Sequence, residues 1–366
     1  MNNDELIKKV LSEINWDDIE LSDVNARCMS LDAVKDWFNS EIARYDNKEK
    51  AAKNMPRVSK SIMIKVGEHE LNIKQFVTLL TTPPKTIFDE GEKSKHSGTE
   101  DILTINTGIP ALRGIVWDKD KGEFYIINTC PKAGACAIDC YALQGFYILC
   151  EGKNLKLAQR LQLMMEDPET YYTLAYREAE IYAFKANRDN KILEIRWNDA
   201  GDFFSERYFK LALKITKTLL SNKYKVKSYF YTKVGKYVEL GEKLGFEVTF
   251  SSGGIDKTPT ASKQSVIVPF SVFKHHLFST RGRGYEKDET GKAKIRDNHK
   301  SLLKADIYNA YKEEFPNITL NNILFTDELP RQEGNERKYN VIILPVGDTD
   351  SPAQRKDVSV IFLLKH

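Results

Sequence analysis

The sequence KILEIRWNDAGDFFSERYFKLALKITKTLLSNKYKVKSYFYT, at residues 191–232, is the clearest indication of the fold class. It opens with a short apolar run at Lys191–Trp197, which is typical of a buried strand. The next segment, Ser205–Leu220, repeats apolar residues every three or four positions, as one buried stripe of a helix does. A second strand-like run follows at Val226–Thr232. Strand, helix and strand in this order predict two parallel strands joined by a helical crossover.

The same alternation continues along the chain. A helix is predicted over Val234–Leu244, and strands are predicted over Glu247–Ser251 and Ser265–Pro269. Upstream, the apolar runs 114–117 and 124–127 flank a polar turn and predict a β-hairpin. We therefore expect an α/β protein, built as an incomplete β/α (TIM-like) barrel with a helical N-terminal layer and an α+β C-terminal extension.

Three regions are predicted on this basis. Residues 1–100 form a helical accessory region that includes Cys28, residues 101–270 form the partial-barrel core, and residues 271–366 form the C-terminal extension.

Composition limits the class of protein. The chain has 366 residues, of which 41% are hydrophobic, and its net charge is only +3, so a packed globular body without a strong overall field is expected. The polar N-terminus and the lack of a long apolar stretch predict a cytoplasmic protein with no membrane partner. The sequence contains no phosphate-binding loop, dinucleotide fingerprint or nucleophile elbow, which disfavours those enzyme classes.

Four of the five cysteines lie within residues 130–150, which points to a thiol-based site. Five residues separate Cys130 from Cys136, and three separate Cys136 from Cys140. Three thiolates in one loop can hold an iron–sulfur cluster and leave one iron open to bind a cofactor. Two alternatives stay open: buried thiols, and a structural zinc site closed by Cys150 or by a histidine such as His275.

Polar or glycine-rich turns follow the predicted strands, where the ligands of parallel sheets bind. They occur at 198–202, 232–233 and 251–254. The candidate ligand-binding residues in these turns are Asn198, Asp199, Gly201, Asp202, Thr232, Lys233, Ser251 and Ser252. Three simpler roles remain open: Asp202 or Ser205 as the cap of the next helix, and Lys233 as a solvated lysine.

Residues 274–300 carry eight Lys or Arg against four acidic residues, with aromatic residues between them. Such a segment can follow a nucleic-acid backbone, or it can be a solvated loop.

The cysteine loop, which follows a strand and precedes the β/α alternation, resembles that of radical S-adenosylmethionine enzymes. The commonest of those enzymes have three and then two residues between their cysteines, so the spacing here departs from their pattern. Residues 102–270 more closely resemble an uncharacterised bacteriophage family with the same Cys-x5-Cys-x3-Cys loop. The segments that carry this second likeness are Ile105–Pro110, Asn128–Pro131 and Trp197–Phe203.

The radical-enzyme resemblance implies a [4Fe-4S] cluster on Cys130, Cys136 and Cys140 that binds S-adenosylmethionine. Reduction by an external electron donor would then give a 5'-deoxyadenosyl radical that abstracts hydrogen from a substrate. It further implies that Asp199 and Asp202 accept hydrogen bonds from the methionine ammonium group, and that the turn at Ser251 approaches the ribose or carboxylate. The phage resemblance implies action in a host cytoplasm, with nucleotides or nucleic acid as the substrate classes to consider. The alternative function is a non-catalytic, metal-stabilised nucleic-acid-binding phage protein.

Overall fold

The structure is a computed structural model. It describes residues 26–29, 73–90, 101–137, 140, 142, 151–259, 263–273, 285–287, 293–329, 339–344 and 355–364. The strands are β1 Ala26–Met29, β2 Ile102–Asn106, β3 Arg113–Asp118, β4 Glu123–Asn128, β5 Ile192–Trp197, β6 Val226–Thr232, β7 Glu247–Ser251, β8 Gln264–Val268, β9 Tyr285–Lys287, β10 Ala293–Ile295, β11 Ile323–Phe325, β12 Tyr339–Leu344 and β13 Val358–Leu364. The helices are α1 Ile73–Thr81, α2 Glu151–Glu166, α3 Pro168–Arg188, α4 Glu206–Ser221, α5 Gly235–Lys243, α6 Phe270–Phe273 and α7 Asp297–Tyr311.

Eight strands form one parallel sheet in the order β11-β12-β13-β8-β7-β6-β5-β2. The parallel α/β architecture predicted from the β/α alternation is therefore confirmed. Strands β2 and β11 are the two edges, and no pairing between described residues joins them into a closed barrel.

The two faces of this sheet differ in chemistry at strand β5. On β5, Leu193, Ile195 and Trp197 point into the main apolar core, which also contains the buried residues of α3, α4 and α5. The side chains between them are polar: Glu194 is buried and accepts a hydrogen bond from Thr104 on β2 at 3.1 Å. A parallel sheet covered by helices on both faces has nearly continuous apolar strands, so this alternation indicates that helices cover β5 on one face.

A second, antiparallel sheet has the order β1-β4-β3. Strands β3 and β4 form the predicted hairpin, and Gly122 occupies a left-handed backbone conformation (φ +67°) in its turn. Cys28 lies on β1, opposite Tyr125 of β4, and not in a helix as predicted. The open edge of β4 supplies backbone hydrogen-bond partners to residues 26–29, and such long-range pairing overrides local propensity. Residues 1–25 and 30–72 lie outside the described part of the chain, and α1 begins at Ile73. The rest of the helical N-terminal layer predicted before Ile73 falls in those two segments.

The C-terminal residues extend the same parallel sheet. Strands β11, β12 and β13 lie beyond residue 270 and continue it past β8, so the predicted boundary at that residue does not divide the sheet. They pack with α7 around a second apolar core that includes Leu303, Ile307 and Phe362. Of the basic segment 274–300, residues 274–284 and 288–292 lie outside the described chain.

Helix α3 has 21 residues, and charged side chains occur along its whole length. Neither α3 nor any other helix in the described residues is long and apolar enough to span a membrane.

Candidate functional site

The cysteine loop is hydrogen-bonded to the turn that follows β7. The backbone amides of Gly134 and Cys136 both donate to the carbonyl oxygen of Gly253, at 3.1 and 3.2 Å. The amide of Ile255 donates to the carbonyl oxygen of Lys132 at 2.9 Å. These contacts place the loop at the carboxyl end of the parallel sheet, where ligands of such sheets bind.

Glycines make this close approach possible. A Cβ atom on Gly134 would lie 2.8 Å from the carbonyl oxygen of Gly253, and one on Gly254 would lie 2.8 Å from that of Lys132. Gly253 has a φ of +82° and packs against Cys136. Gly134 is therefore needed for close backbone contact between the cysteine loop and this turn.

Cys130 lies at the end of the β4 segment and is partly buried. Its Sγ atom accepts a hydrogen bond from the backbone amide of Leu112 at 3.3 Å. The amide of Asp202 donates to the carbonyl oxygen of Thr129 at 2.9 Å, which joins the start of the cysteine loop to the turn after β5. Burial raises the pKa of the Cys130 thiol, and the nearby Asp202 carboxylate raises it further.

Asp202 links the turn after β5 to the end of β6. Its carboxylate accepts hydrogen bonds from the Thr232 hydroxyl at 2.8 Å, the Lys233 amide at 2.9 Å and the Phe203 amide at 2.7 Å. Burial raises the pKa of this carboxyl, against the lowering effects of Lys233 and these hydrogen bonds. Ser205, and not Asp202, caps helix α4, since its side chain accepts from the amide of Tyr208.

Lys233 is in contact with the β7 turn and in the electrostatic field of the cysteines. Its Nζ atom lies 3.3 Å from the Ser251 hydroxyl. Burial is the largest influence on the pKa of Lys233 and lowers it. The combined effect of Cys136, Asp202, Cys130 and Cys140 outweighs burial, and the pKa is raised. Lys233 is therefore not the solvated lysine considered as an alternative.

Asn198 begins the turn after β5 in the left-handed backbone region, with a φ of +59°. Its side-chain carbonyl accepts a hydrogen bond from the Tyr208 hydroxyl at 2.7 Å. Its Nδ2 atom is buried and has no hydrogen-bond partner among the described residues. A buried donor and an uncommon backbone conformation at one residue are features of ligand-binding positions.

Asp199 is buried and engaged by neighbours on two other elements. Its Oδ2 atom accepts from the Asn106 amide group at 2.6 Å and forms an ion pair with Lys153 of α2 at 3.0 Å. A Cβ atom on Gly108 would lie 2.1 Å from Asp199 Oδ1 and 3.0 Å from the backbone nitrogen of Ala200, so a larger residue there would displace the Asp199 carboxylate. These contacts hold the start of α2 against the carboxyl ends of β2 and β5.

The remaining candidates shape the backbone of the turns. Gly201 has a φ of +77°, and a Cβ atom there would lie 2.5 Å from the Ile109 side chain. The amide of Ser252 donates to the carbonyl oxygen of Ser265 on β8 at 2.8 Å.

The three thiols of the cysteine loop and the candidate residues in the turns after β5, β6 and β7 thus lie together at the carboxyl end of the parallel sheet. Within the described residues, no group of three His, Cys, Asp or Glu side chains is arranged to hold one metal ion. Cys150 and His275, the predicted alternative ligands for zinc, lie outside those residues.

Three contributors to this end of the sheet were not predicted as site residues: Asn106, Lys153 and Tyr208. Asn106 lies at the carboxyl end of a strand, a position that predicts a ligand-binding role in a parallel sheet. Tyr208 lies in the helix predicted over Ser205–Leu220, where an aromatic residue indicates core packing, although its hydroxyl is bonded to Asn198. Nothing in the sequence near Lys153 indicates its pairing with Asp199, 46 residues away.

Comparison with known proteins gives one family. No curated protein and no solved structure matches the chain significantly. The family model described as gene product 88 matches residues 88–309, which is more than half of the chain and includes the cysteine loop. This match supports the predicted resemblance to a bacteriophage protein family, and the chain belongs to the gene product 88 family.

Proposed function

We propose that this protein is an iron–sulfur enzyme of the radical S-adenosylmethionine type, with a [4Fe-4S] cluster on Cys130, Cys136 and Cys140. One observation carries the proposal: the cysteine loop is hydrogen-bonded to the turn after β7, at the carboxyl end of the parallel sheet, where ligands of such sheets bind. A peripheral structural metal knuckle would not need that location.

The residues around the loop suit a cluster. All three cysteines are thiols, and the Leu112 amide donates to the Cys130 sulfur, as amides do to the sulfurs of iron–sulfur sites. The thiolate is the form that binds iron, so cluster assembly displaces the thiol proton of each cysteine. In a cluster each cysteine binds its own iron, so the three sulfurs need not converge on one point.

The end of β5 offers groups for a cofactor bound at the open iron. The buried Nδ2 atom of Asn198 can donate a hydrogen bond to a carboxylate or hydroxyl of the ligand. Asp199 and Asp202 hold neighbouring elements in place through the bonds described above, and we propose that they orient the site. Adenosylmethionine, when bound to a cluster of this kind, supplies hydrogen-atom abstraction after reduction by an external electron donor.

The polar face of the sheet supports a polar substrate. Arg196 lies with its guanidinium carbon 5.6 Å from the centre of the Tyr231 ring, on the strand pair whose ends carry the site. Nucleotides or nucleic acid in the cytoplasm of an infected bacterium are the proposed substrate class, on the strength of the phage family.

The test is anaerobic reconstitution of the purified protein with iron and sulfide. Iron and sulfide are then quantified, and electron paramagnetic resonance spectra of the reduced protein are recorded with and without adenosylmethionine. We expect a reduced-cluster signal that changes when adenosylmethionine is added. Cys136→Ala should abolish the signal, and the matched control Cys28→Ala, on β1 outside the loop, should retain it.

Two outcomes would overturn the proposal. Stoichiometric zinc with no cluster would favour the non-catalytic, metal-stabilised protein, with Cys150 or His275 as a ligand. A cluster whose spectrum does not change when adenosylmethionine is added would argue against radical chemistry. It would favour an electron-transfer or structural cluster.

A further inference from the structure

Lys233 occupies a confined position between the β6 end and the cysteine loop. Its backbone amide donates to Asp202, and its side chain contacts the Ser251 hydroxyl. A Cβ atom on Gly254 would lie 3.0 Å from the Cβ of Lys233, so the lysine stem packs directly on the turn. The preceding glycine of that turn, Gly253, contacts Cys136.

The three lysines at this end of the sheet differ in their negatively charged partners. Lys132 of the cysteine loop forms an ion pair with Asp256 at 3.0 Å, and Lys153 forms one with Asp199 at 3.0 Å. The backbone amide of Lys233 donates to Asp202, and its side chain packs on the turn whose Gly253 oxygen accepts from the Cys136 amide. Its charge also interacts with Cys130, Cys136 and Cys140. A cation this close to the cysteine loop acts on the combined charge of the three cysteines and not on one carboxylate alone.

We propose that Lys233 compensates the negative charge of the cluster on the three cysteines and thereby raises its reduction potential. This inference rests on the proposed function, because it requires a cluster. The potential of an iron–sulfur centre depends on net charge, hydrogen bonds to sulfur and solvent exposure, and Lys233 changes the first of these. Reduction adds an electron, so a nearby positive charge favours the reduced state and a nearby negative charge disfavours it.

The inference makes opposite predictions for two neighbouring residues. Lys233→Met keeps the length of the aliphatic stem and removes the charge, so the midpoint potential should fall. Asp202→Asn removes the opposing negative charge, so the midpoint potential should rise. Lys233→Arg keeps the charge and should stay close to wild type.

The experiment is an anaerobic redox titration of the reconstituted wild type and the three variants, followed by the reduced-cluster signal. We expect Lys233→Met to shift the reduction equilibrium by at least tenfold, which corresponds to about 59 mV for one electron. Circular dichroism of each variant checks that it is folded before titration.

The outcomes separate the two proposals. A wild type that forms no cluster refutes the proposed function and this inference with it. A wild-type cluster with an unchanged or higher potential in Lys233→Met refutes this inference alone. If Lys233→Met does not fold, Asp202→Asn decides the matter, since an unchanged or lower potential there contradicts charge compensation.

Discussion

The contact between the cysteine loop and the β7 turn can be tested by adding one methyl group at Gly134. In Gly134→Ala the new Cβ atom would lie 2.8 Å from the carbonyl oxygen of Gly253 and 3.1 Å from the carbonyl carbon of Gly254. Both are backbone atoms, so neither can rotate away as a flexible side chain can. The loop therefore has to move away from the Gly253 carbonyl oxygen.

The expected cost follows from the bonds that this movement breaks. The Gly253 oxygen accepts from the amides of residues 134 and 136, and both bonds depend on the same close approach. Each hydrogen bond contributes about 1 kcal/mol net, so the loop loses about 2 kcal/mol of local stability. That corresponds to about a 30-fold shift in the equilibrium between docked and undocked loop.

Amide hydrogen exchange of the peptide that contains Cys136 measures this equilibrium directly. We expect exchange at this amide to be about 30-fold faster in Gly134→Ala than in wild type. Gly235→Ala is the matched control, because a Cβ atom there meets nothing closer than 3.7 Å and should leave exchange unchanged. Equal protection in Gly134→Ala and wild type would show that the loop does not rest on the turn as described.

Three further substitutions test the framework of the site. Tyr208→Phe removes the 2.7 Å hydrogen bond to the buried Asn198 carbonyl and should lower the free energy of unfolding by about 2 kcal/mol in urea denaturation; no loss would mean that this bond is not formed. Arg160→Met removes the buried guanidinium that bonds Asp89, while Lys156 stays paired with that carboxylate, and should cost about 2 kcal/mol in the same assay, whereas a neutral result would contradict the pairing. Burial raises the pKa of Asp89, but Arg160 and Lys156 outweigh it, so the folded-state pKa is lower than the unfolded one and this carboxylate stabilises the fold above about pH 4. The stability difference between wild type and Asp89→Asn should therefore shrink as the pH falls through the folded-state pKa, and a difference that grows on acidification would refute the assignment.

Much of the core fold was predictable because its signals are local. The apolar periodicity of residues 205–220 is a property of one helix, and the structure has α4 at Glu206–Ser221 with Ser205 as its cap. The hairpin of β3 and β4 was predictable for the same reason, since its turn lies between the two strands in sequence. Other features needed contacts across the chain: the pairing of Cys28 opposite Tyr125 and the addition of β11 to β13 to the sheet depend on which edges are open after the rest has folded.

The closeness of three cysteines after a strand, and the polar turns that end the strands of a parallel sheet, can both be read from local sequence. How these parts meet depends on contacts between distant segments. Asp202 bonds to Thr232 and Lys233, residues about 30 positions away, and Lys153 pairs with Asp199 across a gap of 46. Such pairings depend on strand order and on the glycine-lined approach of the loop to the β7 turn, and no local pattern encodes either.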